Sequence, residues 1–136
     1  MAIDFQDITI VANPQPNQVR AGHQTTTKVF PFQLSAPPPS EWQGIFLQEW
    51  AKRRNNVTPT GSVTFTGSSL NLECQIENLP LRAQSLDVDI ATANQKYRAQ
   101  KEQEVADKQR VAEQAAAQKQ AEDRAIQDVL GKLKSR

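Results

Sequence analysis

Apolar positions come in short alternating runs up to about Ala91 and then thin out. In "IDFQDITIVA", Ile3 and Phe5 alternate, then Ile8 and Ile10. The odd step between the two sets predicts a bulge or bend near Gln6-Asp7. The polar stretch that follows, "NPQPNQVRAGHQ", is punctuated by proline and glycine and reads as a long loop. In "TTTKVFPFQLS", Phe30, Phe32 and Leu34 share one strand face. Pro31 cannot donate to a ladder, so this strand is expected at an edge or bulged there.

"APPP" stops that strand and a helix is expected at once. Ser40 reads as its N-cap and Gln43 completes a capping box. Trp42, Ile45, Phe46 and Trp50 follow the i, i+3, i+4, i+8 spacing of one buried stripe. Glu49 and Arg53 are placed to pair on its flank, and Asn55-Asn56 and Pro59 end it. Next, "GSVTFTGSSLNLECQIEN" reads as a hairpin. Val63 and Phe65 face inward, Gly67-Ser68-Ser69 turns the chain, and Leu70, Leu72, Cys74 and Ile76 alternate inward. A further strand is expected in "SLDVDIA", where Leu86, Val88 and Ile90 alternate with Asp87 and Asp89. Clean alternation of this kind suits an antiparallel sheet with one wet face.

Thr92 and Gln95 form a second capping pattern, T-x-x-Q, and open the last segment. From Ala93 to about Leu130 the chain has no proline or glycine and consists almost wholly of strong helix formers. A heptad frame runs through Val105, Ala112, Lys119, Ile126 and Leu133, with Gln109, Ala116, Asp123 and Leu130 as companions. Lys119, Gln109 and Asp123 interrupt it, so it makes no strong leucine-zipper seam. Tyr97 can pack near the sheet, and Ile126, Val129, Leu130 and Leu133 can pack at the tip. Glu104 with Lys108, and Asp128 with Lys132, have favourable i, i+4 spacing.

Composition narrows the function classes. Sixteen basic and fifteen acidic residues leave a net charge of +1, so no global field draws the chain to nucleic acid or an anionic membrane. Cys74 is the one cysteine and His23 the one histidine, in separate segments. That gives no disulfide, no Cys-His dyad and no His-ligated zinc site. The glycines are too scattered for a phosphate loop. Met1 to Phe5 lack the basic start of a secretory leader, and no apolar run reaches the ~18 residues of a membrane span. The expected location is therefore cytoplasmic, or inside a particle assembled there. On that reading the sequon Asn56-Val57-Thr58 is coincidental.

Three features are candidates for sites. Trp42 and Trp50 beside Lys52, Arg53 and Arg54 could form a stacking and cationic surface for nucleic acid. Their common stripe with Ile45 and Phe46 places the tryptophans in the core instead. Asp87 and Asp89 share a face in the expected strand, yet no nearby acidic cluster completes a hard-cation site. From Ser40 on, the expected order helix, three strands, helix is similar to that of the double-stranded RNA-binding domain. That module reads RNA shape with basic residues near the start of its last helix. Lys96, Arg98 and Lys101 occupy this region here, interleaved with Gln and followed by Glu102 and Glu104.

The expectation is an α+β chain. A small antiparallel sheet of about five strands, flat or folded into a sandwich, is covered by one short helix (residues 1–91). A long polar C-terminal helix follows (residues 92–136). The expected function is non-catalytic, with no cofactor and no metal. It is that of a structural or adaptor subunit in a multi-subunit assembly, such as a bacterial or viral particle. The C-terminal helix would meet a protein partner or a second copy through Val105, Ala112, Ile126, Val129, Leu130 and Leu133. The alternative is a nucleic-acid-associated module using Lys52, Arg53, Arg54, Lys96, Arg98 and Lys101.

Overall fold

The computed structural model describes residues 3–53 and 61–133. The strands are β1 (Ile10–Ala12), β2 (Arg20–Ala21), β3 (Thr27–Leu34), β4 (Ser62–Thr66) and β5 (Ser69–Gln75). The helices are α1 (Ser40–Ala51) and α2 (Leu79–Leu133). The strands form one antiparallel sheet in the order β1-β3-β5-β4, and β2 also pairs with β3. The protein is thus α+β: a five-stranded antiparallel sheet, one short helix and a long C-terminal helix.

Register follows the apolar alternation. Phe30 opposes Leu72 and Phe32 opposes Leu70, while Val63 and Phe65 of β4 oppose Leu72 and Leu70 from the other side. A period of two puts these side chains on one face. There they pack with Trp42, Phe46 and Trp50 of α1 and with Leu86, Ile90, Ala93 and Tyr97 of α2. Trp42 stacks on Phe46 and Phe46 on Trp50, with ring centroids 5.6 and 5.9 Å apart, and Phe65 meets both Trp42 and Phe46 edge-on. Such pairs contribute about 0.5–1.5 kcal/mol each beyond the area they bury. The β4–β5 turn is Gly67-Ser68, one residue shorter than the expected Gly67-Ser68-Ser69 because Ser69 already belongs to β5, and Gly67 sits at φ +58°. Ile76 leaves the alternation: it starts a short 3₁₀ turn and is exposed.

Pro31 lies inside the sheet, paired with Asn71 on β5. The Leu34 N–H donates to the Ser68 carbonyl, so even-numbered residues of β3 point their backbone groups at β5. Odd-numbered residues therefore point to the other side. On that side β2 covers Val29 and Lys28, and β1 covers Leu34 and Gln33. The missing N–H of Pro31 falls in the gap between them. The strand expected at an edge is therefore interior to the sheet, and the proline is accommodated by that local gap instead.

Several boundaries differ from the sequence reading. The segment 85–91 is not a strand: it belongs to α2, which starts at Leu79 and not at Thr92. Leu86, Ile90, Ala93 and Tyr97 are spaced four, three and four apart and are all buried. Val88, the middle of the supposed alternation, is 55 % exposed. Thr92 is no cap, since its Oγ1 donates to the Val88 carbonyl one turn back. Pro80 fits within the first turn of a helix, where its missing N–H has no intrahelical acceptor to lose. In α1 the N-cap is Pro39, not Ser40, and the Gln43 amide donates to the Pro38 carbonyl at 3.0 Å. The irregularity in the first strand lies between Ile10 and Ala12 rather than at Gln6-Asp7. Among the described residues only β4 and β5 stand between the two helices, so the helix, three strands, helix order shared with the double-stranded RNA-binding domain is not found there. The stretch 54–60, with Arg54, the expected stop at Asn55-Asn56 and Pro59, and the sequon at Asn56, lies outside the described residues.

Contacts divide the chain into a compact unit Asp4–Ala99 and a second unit that holds the helix from Gln100 onward.

Candidate functional site

Within Asp4–Ala99 the charged side chains proposed for nucleic-acid contact are mostly committed to ion pairs. Arg53 makes a two-pronged bond to Asp89, Nε to Oδ2 and Nη2 to Oδ1, both at 2.8 Å. The Asp89 carboxylate beside it raises the affinity of Arg53 for its proton. Lys52 and Lys96 converge on Oε1 of Glu49, the first at 3.0 Å. Together they hold the Glu49 carboxyl below the usual carboxylate range, with Lys96 contributing most. The Glu49–Arg53 pairing expected from their spacing is therefore replaced by two other partnerships. Arg98 bonds Asp7 at 2.8 Å and the Phe5 carbonyl at 3.2 Å, and lies over the Phe5 ring. On the second unit, Lys101 pairs with Glu104 at 3.2 Å and holds its carboxyl low. Five of the six proposed cations thus have a carboxylate of the same chain as partner; the sixth, Arg54, lies outside the described residues. Within Asp4–Ala99, Lys52 and Lys96 share Glu49, while Arg53 is tied to Asp89 and Arg98 to Asp7 and the Phe5 carbonyl.

Asp87 and Asp89 are separated by the helix that replaces the expected strand. Asp89 is buried against Arg53, while Asp87 is exposed. Among the described residues no three of His, Cys, Asp and Glu come together as a metal site. His23 closes onto Glu73. Its backbone N–H donates to Oε2 at 2.7 Å and its Nδ1 meets Oε1, while the Thr27 hydroxyl adds a bond at 2.9 Å. These contacts, the His23 ring first, hold Glu73 below the ordinary carboxylate range. Cys74 is buried on the core face, and burial pushes its thiol pKa up. A reactive thiol needs the opposite environment.

An open cleft of about 510 Å³ lies between the segment Asp7–Ile10 and α2. Asp87, Asn94, Gln95 and Arg98 line its helical wall. Asn94 is the residue that sequence reasoning missed. Its Oδ1 accepts the Ile8 N–H at 3.0 Å and the Trp42 indole N–H at 2.9 Å, and its Nδ2 donates to the Ile8 carbonyl at 2.9 Å. All its neighbours are used in holding the N-terminal segment to the core. The cleft presents the Asp7–Arg98 pair, the side-chain amides of Asn94 and Gln95, and Thr9.

The helix from Gln100 to Leu133 carries the residues proposed for partner contact. Every residue from Lys108 to Leu133 is exposed. Among them Ile126 is 56 %, Val129 57 %, Leu130 53 % and Leu133 46 % exposed. Spaced i, i+3, i+4 and i+7, these four lie on one face. Val105 is half-buried and Ala112 exposed. Val111, 58 % exposed, is five turns before Val129 and extends the same face; the heptad frame of the sequence passed it by. Among the described residues no helix is long and apolar enough to cross a membrane. In comparisons with family models, with curated proteins and with solved structures, nothing matches this chain.

Proposed function

We propose that this protein is a non-catalytic assembly subunit. The α+β unit is its rigid body, and the helix from Gln100 is the element that docks on a helix of another protein chain. One observation supports this above the others: the exposed apolar face formed by Ile126, Val129, Leu130 and Leu133. Burying four such side chains releases several kcal/mol of hydrophobic free energy, on the order of 1.5–3 each when burial is complete. A helix exposed on all sides gains little from its own packing, since most helical stability in proteins comes from an amphipathic face meeting another surface. The ion-paired state of Lys52, Arg53, Lys96, Arg98 and Lys101 weakens the nucleic-acid alternative.

The test uses the full chain and the double variant Ile126→Asp/Leu130→Asp, whose sites are exposed and leave the core untouched. By light scattering the wild type is expected to exceed monomer mass, or to co-purify with a stoichiometric partner, and the variant to lose that association. A wild-type chain that stays monomeric and partnerless at all concentrations overturns the reading.

A further inference from the structure

We infer that the partner of this helix is a second copy of itself, running antiparallel, with the two-fold axis crossing the pair between Gln120 and Ala121. The inference rests on the helix-docking reading above and names its partner. From Lys108 to Leu133, the residues Lys108, Ala112, Ala115, Lys119, Glu122, Ile126, Val129 and Leu133 are spaced alternately by four and three. That spacing lays them along one stripe of an α-helix. All are exposed.

The stripe reads differently in its two halves, and the halves complement each other. In an antiparallel pair centred between Gln120 and Ala121, Ala115 faces Ile126 of the second copy and Ala112 faces Val129. Each large side chain meets an alanine, which keeps the helices at one separation along their length. At the centre Lys119 faces Glu122, and two-fold symmetry makes that contact twice. At the ends the aliphatic stem of Lys108 lies along Leu133 while its ammonium stays in water. The overlap from Lys108 to Leu133 is ~39 Å long at 1.5 Å per residue.

A parallel pair in register fails on the same residues. Lys119 then meets Lys119 and Glu122 meets Glu122, and both contacts repel. Alanine meets alanine at positions 112 and 115 while Ile126 and Val129 meet themselves, so the helices would have to splay. Charge and volume both select the antiparallel arrangement.

Two measurements on the full chain test it. In sedimentation equilibrium, Lys119→Glu and Glu122→Lys are each expected to weaken the dimer about tenfold, and the double variant to return close to wild type. In mild oxidation, Ala115→Cys and Ile126→Cys chains are expected to cross-link to each other when mixed and neither to itself; Cys74 is buried and stays silent. Self-linking of Ala115→Cys alone would indicate a parallel pair and overturn the inference while leaving the helix-docking reading intact. Failure of the double charge variant to recover overturns the proposed register. A monomer at every concentration overturns the inference outright. The helix-docking reading then depends on a stoichiometric partner that Ile126→Asp/Leu130→Asp releases.

Discussion

Asn94 satisfies both backbone groups of Ile8, accepting its N–H at 3.0 Å and donating to its carbonyl at 2.9 Å, across 86 residues of chain. A side-chain amide here does the work of a neighbouring strand. The same oxygen takes the Trp42 indole N–H, so one buried residue joins the N-terminal segment, α1 and α2. Asn94→Ala would leave three buried polar groups without partners. Each such orphan costs about 1–3 kcal/mol. We expect a loss of about 3 kcal/mol or more in urea unfolding, with a red-shifted tryptophan emission. Thr92→Ala, two residues earlier, should change stability by no more than about 0.5 kcal/mol, because Thr92 is not a cap and bonds only its own helix. A full capping loss of about 1 kcal/mol at Thr92 would contradict the helix start at Leu79.

The Arg53–Asp89 pair is asymmetric in exposure: 33 % of the Arg53 side chain is accessible and 5 % of the Asp89 side chain. Removing the arginine strands a buried carboxylate, which is the expensive direction. Arg53→Met should cost about 3 kcal/mol. Arg53→Met/Asp89→Leu should recover most of that, since no charge is then left in the interior. If the double variant is as unstable as the single one, the pair matters for its shape and not for its charge.

Glu73 ties the turn before β3 to β5 through His23 and Thr27. Its folded-state pKa is lowered, so its contribution to stability is fully present above the unfolded value near ~4.3. That contribution is lost as pH falls through the lower folded-state value. Wild type should therefore lose stability more steeply than Glu73→Gln below about pH 4. Parallel curves from pH 6 to pH 3 would mean that the His23 contact adds nothing in solution.

How far the sequence could be read depended on whether the deciding contact was local. The stripe Trp42, Phe46 and Trp50 and the β4–β5 hairpin were legible because their periods repeat and their turn residues are adjacent. The segment 85–91 was misread because three alternating apolar positions fit a strand as well as a helix. Only extending the run to Ala93 and Tyr97 separates the two periods. The burial of Asp89 could not be anticipated, since it depends on Arg53 from another helix. Asn94 has no local signature either, as its partners lie in the N-terminal segment and in α1. At the C-terminal helix the apolar face Ile126 to Leu133 was plain in sequence. The complementarity of its two halves emerged only when the whole stripe from Lys108 to Leu133 proved to be exposed.

Two glycines make opposite predictions, and both bear on the α1 region. Gly44 lies in α1, is exposed, and a Cβ built there meets nothing within 4 Å. Gly44→Ala should therefore raise stability by about 0.5–1 kcal/mol through the lower entropy of the unfolded chain. Gly61 sits at φ +92°, and a Cβ there would lie 2.6 Å from the Glu73 carbonyl oxygen. Its own carbonyl accepts the Trp50 indole N–H at 3.0 Å. Gly61→Ala should destabilise by more than about 1 kcal/mol, from left-handed strain plus displacement of that acceptor. Thermal unfolding of the two variants is the check: the melting temperature should rise for Gly44→Ala and fall for Gly61→Ala. An unchanged or higher value for Gly61→Ala would show that the Trp50–Gly61 bond does not hold α1 against β4.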